Sequence, residues 1–484
     1  MVIALDVGTS SARAGLYDDA GRAVAGRFHQ VRYEPAILPG GGVEHDPARL
    51  LEAAAACLDA VQAGHRLGEV AAVGVTTFWH GLCGFDRAGY PVTPIYTWAD
   101  TRSAGEADLL RAALDEAALH ARTGCHLHSS YWPARLRWLT RERPEAMRRA
   151  VRWGSFGEHL ELRLFGEART TVSMASGTGL LDQEALRWDP EALAAAGLEP
   201  GQLFPLGDRD APRRGLREPW SGRWPALRGV PWFPAVGDGA ASNVGSDCLD
   251  PGRIALNLGT SAALRIVTEG HPRPPRGLWR YRLDRRRSLV GGATSEGGNV
   301  YRWCREVLRL PLDRALDAEL ATLPADGHGL TMLPFLAGER APGWRGGRRA
   351  VVAGLSLDTT ALEILRAGLE AVALRLALVY RLLAPSASPD HAVIASGGAL
   401  AHSRVWPQII ADALGRPVAC SAEPEATSRG AGLLALEALG LIRDLAAARA
   451  PLGATFVPDP ARHAHYALAL ERQAALDASL GETP

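Results

Sequence analysis

Apolar residues in this chain gather in short runs of Ile, Val, Leu and Ala that close on glycine, threonine or serine. Such runs read as buried strands entering tight turns. Ile3-Ala4-Leu5-Asp6-Val7 stops at Gly8-Thr9-Ser10 and resumes as Ala14-Gly15-Leu16-Tyr17. Ile254-Ala255-Leu256-Asn257-Leu258 stops at Gly259-Thr260-Ser261 and resumes as Leu264-Arg265-Ile266-Val267. Residues 3–12 and 254–263 are identical at seven of ten positions, at an offset of 251 residues in a chain of 484. The pattern predicts the same strand–turn–strand hairpin twice. It therefore predicts two similar domains, 1–243 and 244–484.

The remaining pattern alternates helix and strand, as an α/β chain does. His45-Asp46-Pro47 opens a helix over 48–63, with Asp46 as cap and Pro47 in the first turn. Residues 70–76 and 82–86 read as strands, 104–150 as helix interrupted at 123–133, and 207–228 as an irregular Arg-, Pro- and Gly-rich connection. A strand ends at Gly237, followed by a small-residue helix. Helices are expected at 300–308, 360–383 and 402–414, with a strand over 392–396 ending in Gly397-Gly398 and a short strand at 417–418. Another small-residue helix follows 425, and the tail beyond about 455 reads as helix.

Each hairpin tip has a chemical use. Glycine lets backbone approach a ligand, successive N–H groups form an anion nest, and the hydroxyls add donors. Two such tips, one per half, suit a polyphosphate held from both sides; the alternative is two plain hairpins. Asp6 against Asn257 is the informative difference, because a carboxylate beside phosphates is useful when it holds a divalent cation. Trp79-His80 and Trp98-Ala99-Asp100-Thr101-Arg102 place aromatic faces and ionic groups at strand ends. These suit a sugar, or equally a core tryptophan and an ion pair. Gly237-Asp238-Gly239 has little side-chain crowding, so its backbone is open to a ligand. Asp238 there can accept the proton of an attacking hydroxyl, or cap the helix that follows. The glycine-dense stretch 291–299 enters a helix in a way that suits an anionic ligand or a flat base. His126 and His128 have no third metal-ligand type beside them; they read as loop histidines, or one touches substrate.

Composition excludes more than it adds. With 53 basic and 53 acidic residues the net charge is zero, so nucleic acid is not expected as a partner. Six scattered cysteines without a C-x-x-C pair fit a reducing cytoplasm. Met1 runs almost directly into the first strand, leaving no room for a signal peptide. Arg375 and Arg381 interrupt the most apolar helix, so no membrane span is expected. All 53 basic residues are arginine, which removes Walker A loops, the protein-kinase lysine and Schiff-base chemistry from consideration.

Taken in order, Asp-x-Gly-Thr-Ser, Trp-x-Asp-x-Arg, Gly-Asp-Gly-Ala, the second Gly-Thr-Ser, Gly-Gly-Asn, Gly-Glu-Arg-Ala-Pro and Ser-Gly-Gly-Ala resemble the landmarks of the FGGY carbohydrate kinases. That family is a branch of the actin/Hsp70/hexokinase superfamily, and the resemblance runs from Ile3 to about Gly440. It implies two ribonuclease-H-like α/β domains flanking a deep cleft, with ATP and Mg2+ as cofactors. By this resemblance Asp238 is the base that deprotonates the sugar hydroxyl, and Asp6 is the acid near magnesium. Gly8, Thr9, Ser10 and Arg13 form the first phosphate loop, and Gly259 and Thr260 the second. Gly298, Gly398, Ala399 and His402 line the adenine-nucleotide site. Trp79, His80, Asp100, Arg102, Ser130 and Tyr131 meet the sugar together with Asp238. Within the family the chain most resembles gluconokinase-like members, which implies D-gluconate as substrate and Arg340 or Arg102 facing its carboxylate. Xylulose and other ketoses or polyols stay open. So do a non-catalytic sensor of the same fold and an actin- or Hsp70-like ATPase, the last opposed by the aromatic cluster at 79–102. Family members are often dimers, so a homodimer is expected on resemblance, with no interface signature in the sequence.

Overall fold

The computed structural model describes residues 1–63, 70–310, 314–401 and 403–481. Two sheets dominate it. The first contains β1 (Val2–Val7), β2 (Ser11–Tyr17), β3 (Ala23–Arg32), β4 (Ala72–Thr77) and β5 (Trp232–Gly237), in the order β5-β4-β1-β2-β3. β1–β2 and β2–β3 are antiparallel, whereas β4 is parallel to β1 and β5 to β4. Every residue of β1, β4 and β5 is buried, as expected for strands whose parallel neighbours require cover on both faces.

The second sheet contains β6 (Arg253–Leu258), β7 (Ala262–Glu269), β8 (Trp279–Arg282), β9 (Arg287–Thr294), β10 (Ala392–Ser396), β11 (Val418–Ser421) and β12 (Leu452–Phe456), in the order β8-β9-β7-β6-β10-β11-β12. Without its outermost strands β8 and β12 it has the order and strand senses of the first sheet. The β6–β7 hairpin occupies the place of β1–β2, so the repeat in the sequence is a repeat in the fold.

The helix over Pro47–Gln62 (α1) starts as the sequence predicts: Asp46 accepts the Ala48 N–H at 2.8 Å and Pro47 fills the first turn. The expected helical stretch 104–150 is four helices, Ala104–Ala113, Glu116–Thr123, Trp132–Glu142 and Pro144–Arg149. The tail first forms β12 and only then its helix. Helix Asp238–Gly245 (α2) runs through the expected domain break at 243/244, so the connection between the halves falls at 246–252. No helix among the described residues is long and apolar enough to cross a membrane.

The halves meet through α2 and helix Ala426–Ala438 (α5), each of which follows the fifth strand of its own sheet pattern. Their backbones touch. A Cβ on Gly245 would overlap the Ala426 carbonyl, and one on Gly430 would overlap the Ala241 carbonyl. Arg429 crosses the junction, donating to the carbonyls of Gly21 (3.0 Å), Gly245 (2.7 Å) and Ala448 (2.9 Å). Helix propensity favours alanine over glycine at 430 by about 1 kcal/mol. Forcing two backbones apart costs about 3 kcal/mol, so packing wins. Gly430→Ala should lower unfolding stability by about 2 kcal/mol, measured by denaturant titration.

Candidate active site

The first hairpin tip is braced from behind. Gly8 N–H donates to Ser11 O at 2.9 Å, while Tyr33 donates its hydroxyl to Gly8 O (2.7 Å) and its N–H to Ser10 O (3.0 Å). The Thr9 and Ser10 hydroxyls form no hydrogen bond among the described residues, and Ser10 is exposed. Asp6 lies opposite Arg13 in the β1–β2 register and accepts from its Nη1 at 2.9 Å. Arg13 Nε also faces Glu425 Oε2 of the other half at 3.4 Å. Asp6 Oδ1 is buried without a partner. Burial raises the Asp6 carboxyl to about 6, against the lowering charge of Arg13. A buried carboxylate oxygen with no donor fits a cation or a cation-bound water.

The second hairpin gathers the other glycines of the expected nucleotide site. Gly298 N–H donates to Gly259 O at 2.7 Å, and Asn299 N–H to Thr260 O at 3.1 Å. A Cβ on Gly298 would lie 3.3 Å from that of Ala399. Gly397, at φ 112°, packs against the Leu258 backbone at the base of this hairpin and turns the chain toward Gly398. Helix Gly298–Val307 (α3) begins here, and its first N–H groups are taken up by the Gly259 and Thr260 carbonyls, which ties the helix start to the hairpin tip. Gly259, Thr260, Gly298, Gly398 and Ala399 therefore converge, and His402 lies outside the described residues.

Asp238 is the first residue of α2, and the cap position is Gly237, which makes no side-chain cap bond. The carboxylate instead accepts the N–H of Gly239 at 2.7 Å, with the Trp79 backbone close enough to stabilise its charge. The reading of the flanking glycines as backbone open to a ligand is corrected here. A Cβ on Gly237 or Gly239 would run into the Trp79 indole, so these glycines admit tryptophan and not ligand. Trp79 is fixed in turn by Nε1 donating to Ser173 O at 2.9 Å. Burial raises the Asp238 carboxyl, and the charge of Arg265 is the largest opposing effect, followed by the backbone of Gly239 and of Trp79 and by Arg340.

An aromatic wall from both halves surrounds this carboxylate. Trp279 and Tyr281 stack at 4.0 Å, and Tyr281 lies 4.9 Å from Trp79 and 5.5 Å from His80 between ring centres. Tyr131 and Tyr281 share a 2.6 Å hydroxyl hydrogen bond across the halves. The His80 ring pairs through Nδ1 with Gly177 O at 2.6 Å. Burial, with Arg340 nearby, holds the ring well below its usual pKa. His80 is thus neutral with Nδ1 as donor, which makes Nε2 an acceptor. Trp344 stacks on His126 at 4.9 Å.

Asp100 and Arg102 are spent on each other. Arg102 Nε lies 3.0 and 3.2 Å from the two Asp100 oxygens, its Nη2 also bonds Asp100 and reaches Glu44 at 2.5 Å, and the guanidinium lies 4.5 Å over Trp138. Ser130 is buried, its hydroxyl donating to Trp98 O at 3.1 Å. Arg340 is different. Its guanidinium lies 5.1 Å over the Trp98 ring, its Nε is buried without a partner, and it forms no ion pair among the described residues. Arg265, on β7 of the other half, likewise has a buried Nη1 without a partner and no ion pair. The sequence reading missed Arg265, Trp279, Tyr281 and Trp344. The signal for Arg265 was available: it is the single charge in the apolar run 262–267.

Two repeats of one sheet topology, with their hairpin tips and α2 brought to the junction, define the actin and hexokinase class of fold. The model of the FGGY family of carbohydrate kinases, N-terminal domain, matches residues 1–245, and that of its C-terminal domain matches residues 254–439. The chain belongs to the FGGY family of carbohydrate kinases and is an ATP-dependent phosphotransferase. It is 28% identical to gluconokinase of Bacillus subtilis (strain 168) over 95% of this chain and 91% of the relative. It is 32% identical to xylulose kinase of Streptomyces rubiginosus over 91% and 88%. The solved gluconate kinase from Lactobacillus acidophilus superposes with a TM-score of 0.90 at 26% identity, over 100% of this chain and 98% of that one.

Proposed function

We propose that this kinase phosphorylates a hydroxyl of a small sugar acid, D-gluconate to 6-phosphogluconate. One observation carries the choice among sugars. Arg265 and Arg340 reach the Asp238 site with N–H groups unpartnered among the described residues, where the one carboxylate acting on Arg265 is Asp238 itself. A buried positive charge without a counter-ion is costly, and a carboxylate on the substrate offsets it. A neutral ketose or polyol leaves one guanidinium unbalanced. Arg102 is not available for this task, being held by Asp100 and Glu44.

In this reading Asp238 accepts the proton of the attacking hydroxyl. Trp79, His80 and Tyr131 bound the sugar, and the neutral His80 offers Nε2 to a sugar hydroxyl. Gly8, Thr9, Ser10 and Arg13 take the phosphates from one side, and Gly259 and Thr260 from the other. Gly298, Gly398 and Ala399 line the space for the nucleotide. Asp6 is the residue suited to hold Mg2+, which supplies charge neutralisation on the phosphates. The family relation gives no basis for preferring gluconate on identity alone, since the xylulose kinase relative is at least as similar.

The test is coupled ADP release with Mg-ATP and D-gluconate, D-xylulose, L-ribulose, glycerol and a buffer blank. D-gluconate should exceed every neutral substrate in kcat/KM by at least about tenfold, the effect of one well-placed charged hydrogen bond. Preference for D-xylulose would overturn the sugar-acid reading and leave the family assignment intact.

A further inference from the structure

Arg340 and Trp344 reach the sugar site on one closed loop, 338–348. Its stem is tight, since a Cβ on Gly338 would overlap the Gly346 carbonyl. Glu339 folds into the loop against Gly343, where a side chain would collide with its carboxylate. There Glu339 accepts from Arg345 Nε at 2.6 Å and from Arg375 of helix Ala361–Leu383 (α4). Two backbone bonds close the turn: Glu339 N–H to Arg345 O at 3.1 Å and Trp344 N–H to Arg340 O at 2.7 Å. Trp344 itself has φ 56°. That left-handed conformation is strained for a bulky residue and persists only where its surroundings enforce it.

The enforcement comes from two directions. At the tip, Trp344 Nε1 donates to Gly277 O at 2.8 Å, and Arg111 of the other half donates to Trp344 O at 2.7 Å. At the base stands the end of the C-terminal helix, Pro460–Ser479 (α6). Arg345 Nη2 donates to the Asp477 carboxylate. Arg348 Nη2 lies 3.4 Å from Asp477 Oδ1 and donates to the Asp477 carbonyl at 3.1 Å, and Arg348 Nη1 donates to Gly481 O. One turn earlier on α6, Gln473 Nε2 donates to Met332 O at 2.9 Å, on the strand that leads into the loop. Arg345 thus bridges two carboxylates, Glu339 inside the loop and Asp477 outside it.

We propose that Asp477 is a positioning residue for substrate specificity: through Arg345 and Arg348 it fixes the 338–348 loop, and so the placement of Arg340 against the sugar and of Trp344 beside it. The proposal rests on the reading that Arg340 faces the substrate, with Trp344 packed against Tyr131 beside it. Asp477 touches neither sugar nor nucleotide in this arrangement. Its effect should therefore be confined to the sugar, because the loop carries none of the residues assigned to ATP.

The experiment compares wild type with Asp477→Asn and Asp477→Glu, using whichever sugar the wild type turns over best. In Asp477→Asn, KM for the sugar should rise about tenfold, the scale of a small displacement of positioned groups. KM for ATP should stay within about twofold, since no ATP contact is altered. Asp477→Glu should restore a sugar KM nearer the wild-type value. An unchanged sugar KM would overturn the proposal. So would a parallel rise in both KM values with a fall in Tm, which a merely structural role predicts. If Asp477→Asn does not fold, Arg348→Gln reads the same split, because Arg348 joins the loop to Asp477 and Gly481 alone. Arg340→Met separates the two readings. An unchanged sugar KM in that variant removes the parent reading, whereas a large effect there with none at Asp477 removes this proposal alone.

Discussion

Asp238→Asn is expected to lower kcat by about 10³-fold, the mid-range loss for a positioned general base, while ADP and ATP bind as in the wild type. The expectation follows from what surrounds the carboxylate. The Gly239 N–H fixes its orientation, and the asparagine side chain keeps the size but cannot take a proton. The phosphate-binding hairpins are built from other residues, so calorimetric titration with ADP should be little changed. Near-normal turnover would remove Asp238 from its role. The same carboxylate sets the acid side of the pH profile. Burial raises it above the ordinary range of about 3.9, with Arg265 as the main opposing charge. As pH falls through that raised value the base binds a proton and kcat/KM drops. Asp6, raised to about 6, also loses its charge as pH falls through that value, which weakens its hold on a cation. Both signs agree, so the acid limb should lie above that of a free carboxylic acid.

Much of this arrangement is legible in the sequence because it depends on backbone chemistry. Gly-Thr-Ser after an apolar run specifies a hairpin tip in either half, and the duplicated run at 254–263 takes the place of residues 3–12 in an equivalent sheet. Asp6 and Asp238 are legible for the same reason, since each stands near a strand end within two residues of glycine. What the sequence does not display is whether a charged side chain is already engaged. Asp100 and Arg102 look like substrate ligands by type and are instead partners two residues apart. Arg135 is buried and donates to the carbonyls of His80, Tyr96, Thr97, Ser129 and Ser130, so it holds the site together from behind. In a chain whose every basic residue is arginine, residue type carries no discrimination, and only geometry separates engaged guanidinium groups from free ones. The glycines beside Asp238 make the same point. Their cause is Trp79, more than 150 residues away in the chain, and no local pattern contains it. Tyr281 and Trp344 were missed because they come from the opposite half and meet the site only when the domains pack together.

Arg340→Met should reduce kcat/KM for D-gluconate by about 100-fold, or ~2.8 kcal/mol at about 1.4 kcal/mol per tenfold, and leave the weak activity toward D-xylulose within about threefold. Methionine keeps a side chain of similar length, and it removes the guanidinium and its charge from the Trp98 ring. The size of the effect follows from a charge-assisted hydrogen bond in a buried site, worth roughly 1.5–3 kcal/mol. A lost structural contact would lower both substrates alike, so the ratio between sugars is the informative quantity. Arg265→Met should differ from it in a definite way. Arg265 is the stronger opposing charge on Asp238, so its loss should also move the acid limb of the remaining activity to higher pH. Arg340, the weaker of the two on Asp238, should shift that limb less. If both substitutions reduce gluconate turnover and only Arg265→Met moves the pH profile strongly, the two guanidinium groups divide the work. Arg340 then recognises the sugar acid, and Arg265 links its recognition to the ionisation of the base across the cleft. If neither alters the ratio between gluconate and xylulose, the uncompensated charge in the cleft has another purpose and the substrate is a neutral sugar.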